Sequence, residues 1–328
     1  MSISSAQKPF PTSHMKTLKK AFTGSLVILF GLPLLAGAAE TGKTFPTPEA
    51  AVAALKQATS TENASALRAI FGPAVAEIQN PDRVQATNDF NTFTAALNET
   101  NHLVSESKTK YILEVGTNDW PFPVPIVKKD GGWFFDTQAG KEEILNRRIG
   151  GNELEVLQVM RAYVDAQREY ASKDRDGGQV LKYAQKLASS PGKMDGLYWP
   201  IELNGEISPL GPLVADAQEE GYQLGKKGRG ASAENTGPQP FHGYYFKILT
   251  RQGKSAPGGK YDYIINGNMI GGFAMVAWPA DYEQSGVMTF IVNQQGRVYQ
   301  QDLGEKTEKM ASKMTTYDPD PKWQLSRD

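Results

Sequence analysis

Not one of the 328 residues is cysteine. The fold must therefore be held by packing and hydrogen bonds, without disulfides or thiolate metal sites. The restriction matters because the first 39 residues read as an export leader, and exported chains often use disulfides. Lys16, Lys19 and Lys20 form a positive head, residues 26–35 an apolar centre, and residues 36–39 the small residues of a cleavage site after Ala38 or Ala39. The apolar centre is about half the length of a membrane-spanning helix, and Gly31 and Pro33 interrupt it. Cleavage is expected rather than anchoring, and Met15 offers an alternative start. No cysteine stands at the cut to carry a lipid. Residues 40–328 are long enough for one large domain or two ordinary ones, so a core can do the work of disulfides.

Composition narrows the chemistry. Lys8, Lys16, Lys19 and Lys20 leave with the leader, while all 36 acids stay; 35 basic residues less these four leave a net charge of about −5. That balance lacks the basic footprint of a nucleic-acid binder and gives no stable attraction to anionic lipid. Beyond the leader the only histidines are His102 and His242. A hydrolytic zinc centre usually draws on two or three histidines, and a Ser-His-Asp relay would need one of these two. No Gly-x-Ser-x-Gly elbow supplies a nucleophile. No later segment is long and apolar enough to cross a bilayer.

Two α+β parts are expected. Thr47 caps a helix that Pro48 and Glu49 open. A second covers residues 64–71 and stops at Gly72-Pro73. Residues 83–104 read as helix or mixed structure. Strands follow at 111–115, 123–127 and 133–135, with Lys129-Asp-Gly-Gly132 as a turn, and residues 141–149 return to helix. Gly150-Gly151 marks the predicted boundary between a unit spanning 45–150 and one spanning 152–328. Asn152 is the expected cap of a long helix ending near Lys173, with Glu155 as box partner and Leu154, Leu157, Met160 and Val164 on its apolar face. Residues 180–187 suggest a shorter helix, 192–211 an irregular stretch, and 225–240 a flexible segment. Strands at 243–250, 261–265, 273–278, 287–293 and 297–302 suggest an antiparallel meander, and 305–314 a final helix.

Several long motifs carry a resemblance. They are Asn118-Asp-Trp-Pro-Phe-Pro-Val-Pro125, Gly132-Trp-Phe-Phe-Asp136, Tyr163-Val-Asp-Ala-Gln-Arg-Glu-Tyr170, Asp195-Gly-Leu-Tyr-Trp-Pro200, His242-Gly-Tyr-Tyr-Phe246 and Gly271-Gly-Phe-Ala-Met-Val-Ala-Trp-Pro279. Together they resemble a family of exported bacterial proteins known as domain of unknown function 2950, from about Phe45 to Trp323. The resemblance implies an envelope address, periplasmic or secreted, and brings no activity or catalytic residue. The second half is also similar, more weakly, to pilin-like globular domains, in which a long helix lies on an antiparallel sheet. About 110 residues separate the leader from that helix here, where pilins have the two continuous, so only the packing scheme carries over.

Three constellations could carry chemistry. Asp174 and Asp176, in Lys173-Asp-Arg-Asp-Gly-Gly178, begin like a calcium loop, but the following positions depart from it. A solvated helix stop is the competing reading, so no cofactor is expected beyond possible calcium. Asp195, Tyr198, Trp199, His242 and Tyr244 could line a groove for sugars or peptides, or simply pack a core. The segment around Trp120 could be a docking ridge. The sequence points to a non-enzymatic module that binds or assembles with an envelope component, protein or glycan. The alternative is a hydrolase of cell-wall sugars or peptides, with two of Asp165, Asp195, Glu202 and Asp262 converging in one cleft.

Overall fold

Capping residues set where the helices begin. A computed structural model describes residues 41–175, 177–203, 205–222 and 239–326. The leader, Asp176 and residues 225–238 of the expected flexible segment lie outside the described residues. Thr47 Oγ1 accepts from the Ala50 amide and starts α1 (Pro48–Ser60), which buries Ala51, Val52, Leu55 and Ala58. Asn63 starts α2 (Ala64–Phe71) in the same way, and Gly72, with φ of +72°, ends it. The Asp82 carboxylate accepts the Val84 and Gln85 amides and starts α3 (Arg83–Glu99).

The chain then turns into β1 (Asn101–Ser107), β2 (Lys110–Val115), β3 (Trp120–Pro121), β4 (Ile126–Lys129) and β5 (Gly132–Phe135). They form one antiparallel sheet in the order β1-β2-β4-β5, with β3 also on β2. Asp130 and Gly131 both have positive φ, as the tight hairpin predicted at residues 129–132 requires. The three helices and this sheet enclose a core that includes Leu55, Leu97, Leu113, Ile126 and Phe135.

Asp136 caps α4 (Thr137–Ala171), which runs unbroken for 35 residues. This corrects the expectation of two helices divided at Gly150-Gly151. Neither glycine has a positive φ, and the helix passes straight through both. Asn152 does not cap. Its fully buried amide donates to the Ser285 carbonyl and accepts from Gln85 Nε2. The buried face of the helix carries Val156, Leu157, Met160, Tyr163, Val164, Gln167 and Tyr170, whereas Leu154 is 62% exposed.

The helix predicted at residues 180–187 is also absent. Gln167 explains why: its Oε1 accepts from the Ala184 amide and its Nε2 donates to the Ala184 carbonyl. That buried side chain satisfies the backbone as a neighbouring strand would, and Tyr183 forms an isolated bridge with Met269. Next come α5 (Gly211–Glu219), β6 (Tyr244–Leu249), β7 (Arg251–Gln252), β8 (Tyr261–Asp262), β9 (Ile264–Ile265), β10 (Asn268–Met269), β11 (Ala274–Pro279), β12 (Met288–Asn293) and β13 (Tyr299–Asp302). A short α6 (Thr307–Ala311), β14 (Thr316–Tyr317) and β15 (Gln324–Leu325) close the described chain.

The larger sheet has the order β15-β13-β12-β11-β6, all antiparallel. The strand expected at 261–265 is split, since β8 joins the sheet of β7 and β14 while β9 pairs with β10. The last helix is shorter than expected, with a 3-10 turn at Gly304–Lys306 preceding α6. The α+β class, with a long helix on a C-terminal antiparallel sheet, is the architecture observed.

Candidate binding site

A cavity of about 180 Å³ opens beside the long helix. Val159 and Tyr163 of α4 form one wall, Leu213 and Val214 of α5 another, and Phe246 and Met275 of the larger sheet a third. Leu187, Ala188 and Tyr198 complete it, with Leu210 and Phe241. Local backbone pairing gathers this last wall. The Tyr198 amide donates to the Leu187 carbonyl, and the Ser189 amide donates to the Tyr198 carbonyl. Gly196 permits that approach, because a Cβ there would stand 2.7 Å from the backbone of Ala188 and of Ser189. Leu210 then bonds to the Leu197 carbonyl and leads into α5, which places Leu213 and Val214 opposite. Ala188 is the exposed member of the lining.

The lining residues are apolar except for two tyrosines. Tyr163 Oη is already engaged, donating to the Ala274 carbonyl and accepting from Gln167 Nε2. Burial pushes the Tyr163 phenol far above its ordinary range, so it stays neutral. Among the described residues, no carboxylate, imidazole, amine or serine hydroxyl lines the cavity. Such a space accepts an apolar group and offers it neither acid nor base. By size it suits a branched aliphatic or aromatic side chain, since a dry cavity of about 150 Å³ holds a benzene ring.

Of the five residues singled out as a possible groove, Tyr198 lines this cavity and the other four do not. Trp199 is buried, donates through Nε1 to the Glu206 carbonyl, and lies 5.2 Å under the Arg175 guanidinium. Tyr244 is buried and donates to the Met288 carbonyl. Burial and the nearby Glu153 carboxylate keep it protonated. His242, with φ of +47°, packs against the Tyr222 and Phe241 rings, its Nε2 3.5 Å from Glu220.

Asp195 belongs to a turn. Desolvation pushes its carboxyl up, but hydrogen bonds from Lys186 and from the amide and hydroxyl of Ser190 outweigh that and hold it at about 2. The other acids have neighbours of their own. Asp165 pairs with Arg168, Asp262 pairs with Arg251, and Glu202 is exposed on a 3-10 turn. Asp174 accepts the Gln179 amide at 2.7 Å, so that oxygen closes a turn. Its partner in the calcium reading, Asp176, lies outside the described residues.

A polar network ties the helices and sheet of the first half of the chain to the second half. Asp82 is almost fully buried and, besides capping α3, accepts from the Tyr222 hydroxyl and the Gly243 amide. Gln85 reaches Asn152, Asn152 reaches Ser285, and Glu153 Oε1 accepts the Val287 and Met288 amides. Arg148 donates to the carbonyls of Ile78, Gln79 and Gln284.

Comparison with known families finds a match over residues 42–325 to the family described as "Protein of unknown function (DUF2950)". Nothing matches among curated proteins or solved structures, so a pilin-like fold gains no support.

Proposed function

Starting from the premise that this chain belongs to the DUF2950 family, we propose that it is an exported bacterial envelope protein that works by binding rather than by catalysis. The family description names no activity, so the reading rests on the chain itself. Its carrying observation is the cavity between α4, α5 and the larger sheet, whose described lining is apolar side chains with no acid, base or nucleophile among them. The occupant is an apolar side chain presented by another envelope protein. A glycan is disfavoured, because sugar hydroxyls buried there would lose their hydrogen bonds. Burying one Leu or Phe side chain contributes about 1.5–3 kcal/mol, which is an anchor rather than a whole interface.

The export part rests on the charge, apolar and small-residue pattern of residues 1–39. None of the described helices is long and apolar enough to cross a membrane. The hydrolase reading draws no support from the cavity, whose described lining includes none of Asp165, Asp195, Glu202 and Asp262, so it is not favoured.

Benzene and indole are suitable probes. Either raises the melting temperature of the native chain if the cavity admits it. Filling the cavity with Val214→Phe, or with Val159→Phe should the first variant fold poorly, abolishes that rise. A native chain indifferent to both probes would refute the reading. Fractionation tests the address: the product is expected outside the cytoplasm, beginning at Ala39 or Glu40.

A further inference from the structure

We propose that His102, Glu114 and Asp119 form a binding site for one divalent transition-metal ion, apart from the apolar cavity and independent of its role. Three observations carry it.

The first is placement. His102 and Glu114 are direct partners in the antiparallel pairing of β1 and β2, so their side chains rise from the same face. Asp119 arrives from the turn after β2. The Gly116 amide bonds to the Thr100 carbonyl, the Asp119 amide bonds back to the Gly116 carbonyl, and Trp120 then pairs with Val115. The turn folds Asp119 over the two strands.

The second is geometry. His102 Nε2 lies 2.8 Å from Glu114 Oε2 and 3.8 Å from Asp119 Oδ1, and the three ligand atoms all lie within 4.8 Å of one another. Bonds of about 2.0–2.2 Å to one zinc-like ion place neighbouring donor atoms roughly 2.9–3.4 Å apart. Small side-chain rotations bring all three to that spacing.

The third is charge. Two carboxylates face a single imidazole nitrogen, and among the described residues no lysine or arginine pairs with either of them. Lys110, on the same strand as Glu114, is paired with Glu106 instead. A neutral imidazole and two carboxylates carry two negative charges, which one dication balances. One nitrogen and two oxygens suit a zinc-class ion, with water completing the shell. All three residues are at least partly exposed, so the ion can enter and exchange. Its effect would be to pin the β1–β2 hairpin to the turn that leads into β3.

The test is calorimetric titration of the untagged full chain with zinc, with cobalt absorption as a second readout. One equivalent of saturable binding is expected. His102→Gln and Asp119→Asn should each weaken it at least about tenfold, without changing the melting temperature of the metal-free protein. His242→Gln should leave it intact. No saturable zinc binding up to millimolar concentration, or binding undiminished in His102→Gln, would overturn the proposal.

Discussion

Asp82 shows how much one side chain can settle. Its carboxylate caps α3 and accepts from Tyr222 and from the amide of Gly243, 161 residues away. Removing it uncaps a helix and leaves buried donors unpaired. Asp82→Ala is therefore expected to lower stability by about 2–4 kcal/mol, measured by urea unfolding. Asp195 makes the pH argument. Its carboxyl titrates at about 2 in the folded protein, against roughly 3.9 in an unfolded chain. A lowered folded value means its stabilising contribution is complete above the unfolded value and is lost as pH falls through about 2. Asp195→Asn should flatten the fall in melting temperature between about pH 4 and pH 2.

At this scale the sequence was only partly readable. Tyr198 stood out because it lies in an aromatic motif. Leu187, Val214, Phe246 and Met275 line the cavity with it, yet each looks like an ordinary core residue. A void depends on what the neighbouring elements fail to fill, and no local pattern records that.

Among the elements, α4 departs furthest from expectation. Two adjacent glycines followed by a capping-type Asn-Glu pair read as a boundary, because glycine and asparagine are poor helix formers. The contacts decided otherwise: Asn152 finds better partners in Ser285 and Gln85 than in its own backbone. With nothing within 4 Å of a Cβ at Gly150 or Gly151, alanine at either position should raise stability by about 0.5–1 kcal/mol. Chemical denaturation checks this, and a loss would mean the helix bends there. Gly140 makes the contrast, since a Cβ would stand 2.7 Å from the Pro123 carbonyl oxygen, and Gly140→Ala should destabilise. The elements that were legible carry their signals locally: Thr47-Pro48 at a helix start, Gly72 at a stop, and Asp130-Gly131 in a hairpin. The missing helix at 180–187 was hidden because its competitor, Gln167, lies on another element.

At the scale of the whole molecule, two large hydrophobic clusters and a smaller one around Val159 and Tyr222 share one helix of about 50 Å and are fastened by buried polar bonds around Asp82, Gln85 and Asn152. These bonds should make the clusters unfold together. Asn152→Ala is expected to split the single calorimetric transition or broaden it, and an unchanged sharp transition would show that α4 alone couples them. Nothing in the composition announced this fastening, because each bond joins residues far apart in sequence. The cavity beside α4 carries the central claim of an apolar anchor for an envelope protein. Photo-crosslinking in intact cells tests it most directly, with p-benzoylphenylalanine placed at position 188, the exposed position of the cavity lining. One discrete adduct with an envelope protein, lost when Val214→Phe fills the space, is the result predicted. No adduct, or an adduct that Val214→Phe leaves unchanged, would contradict it.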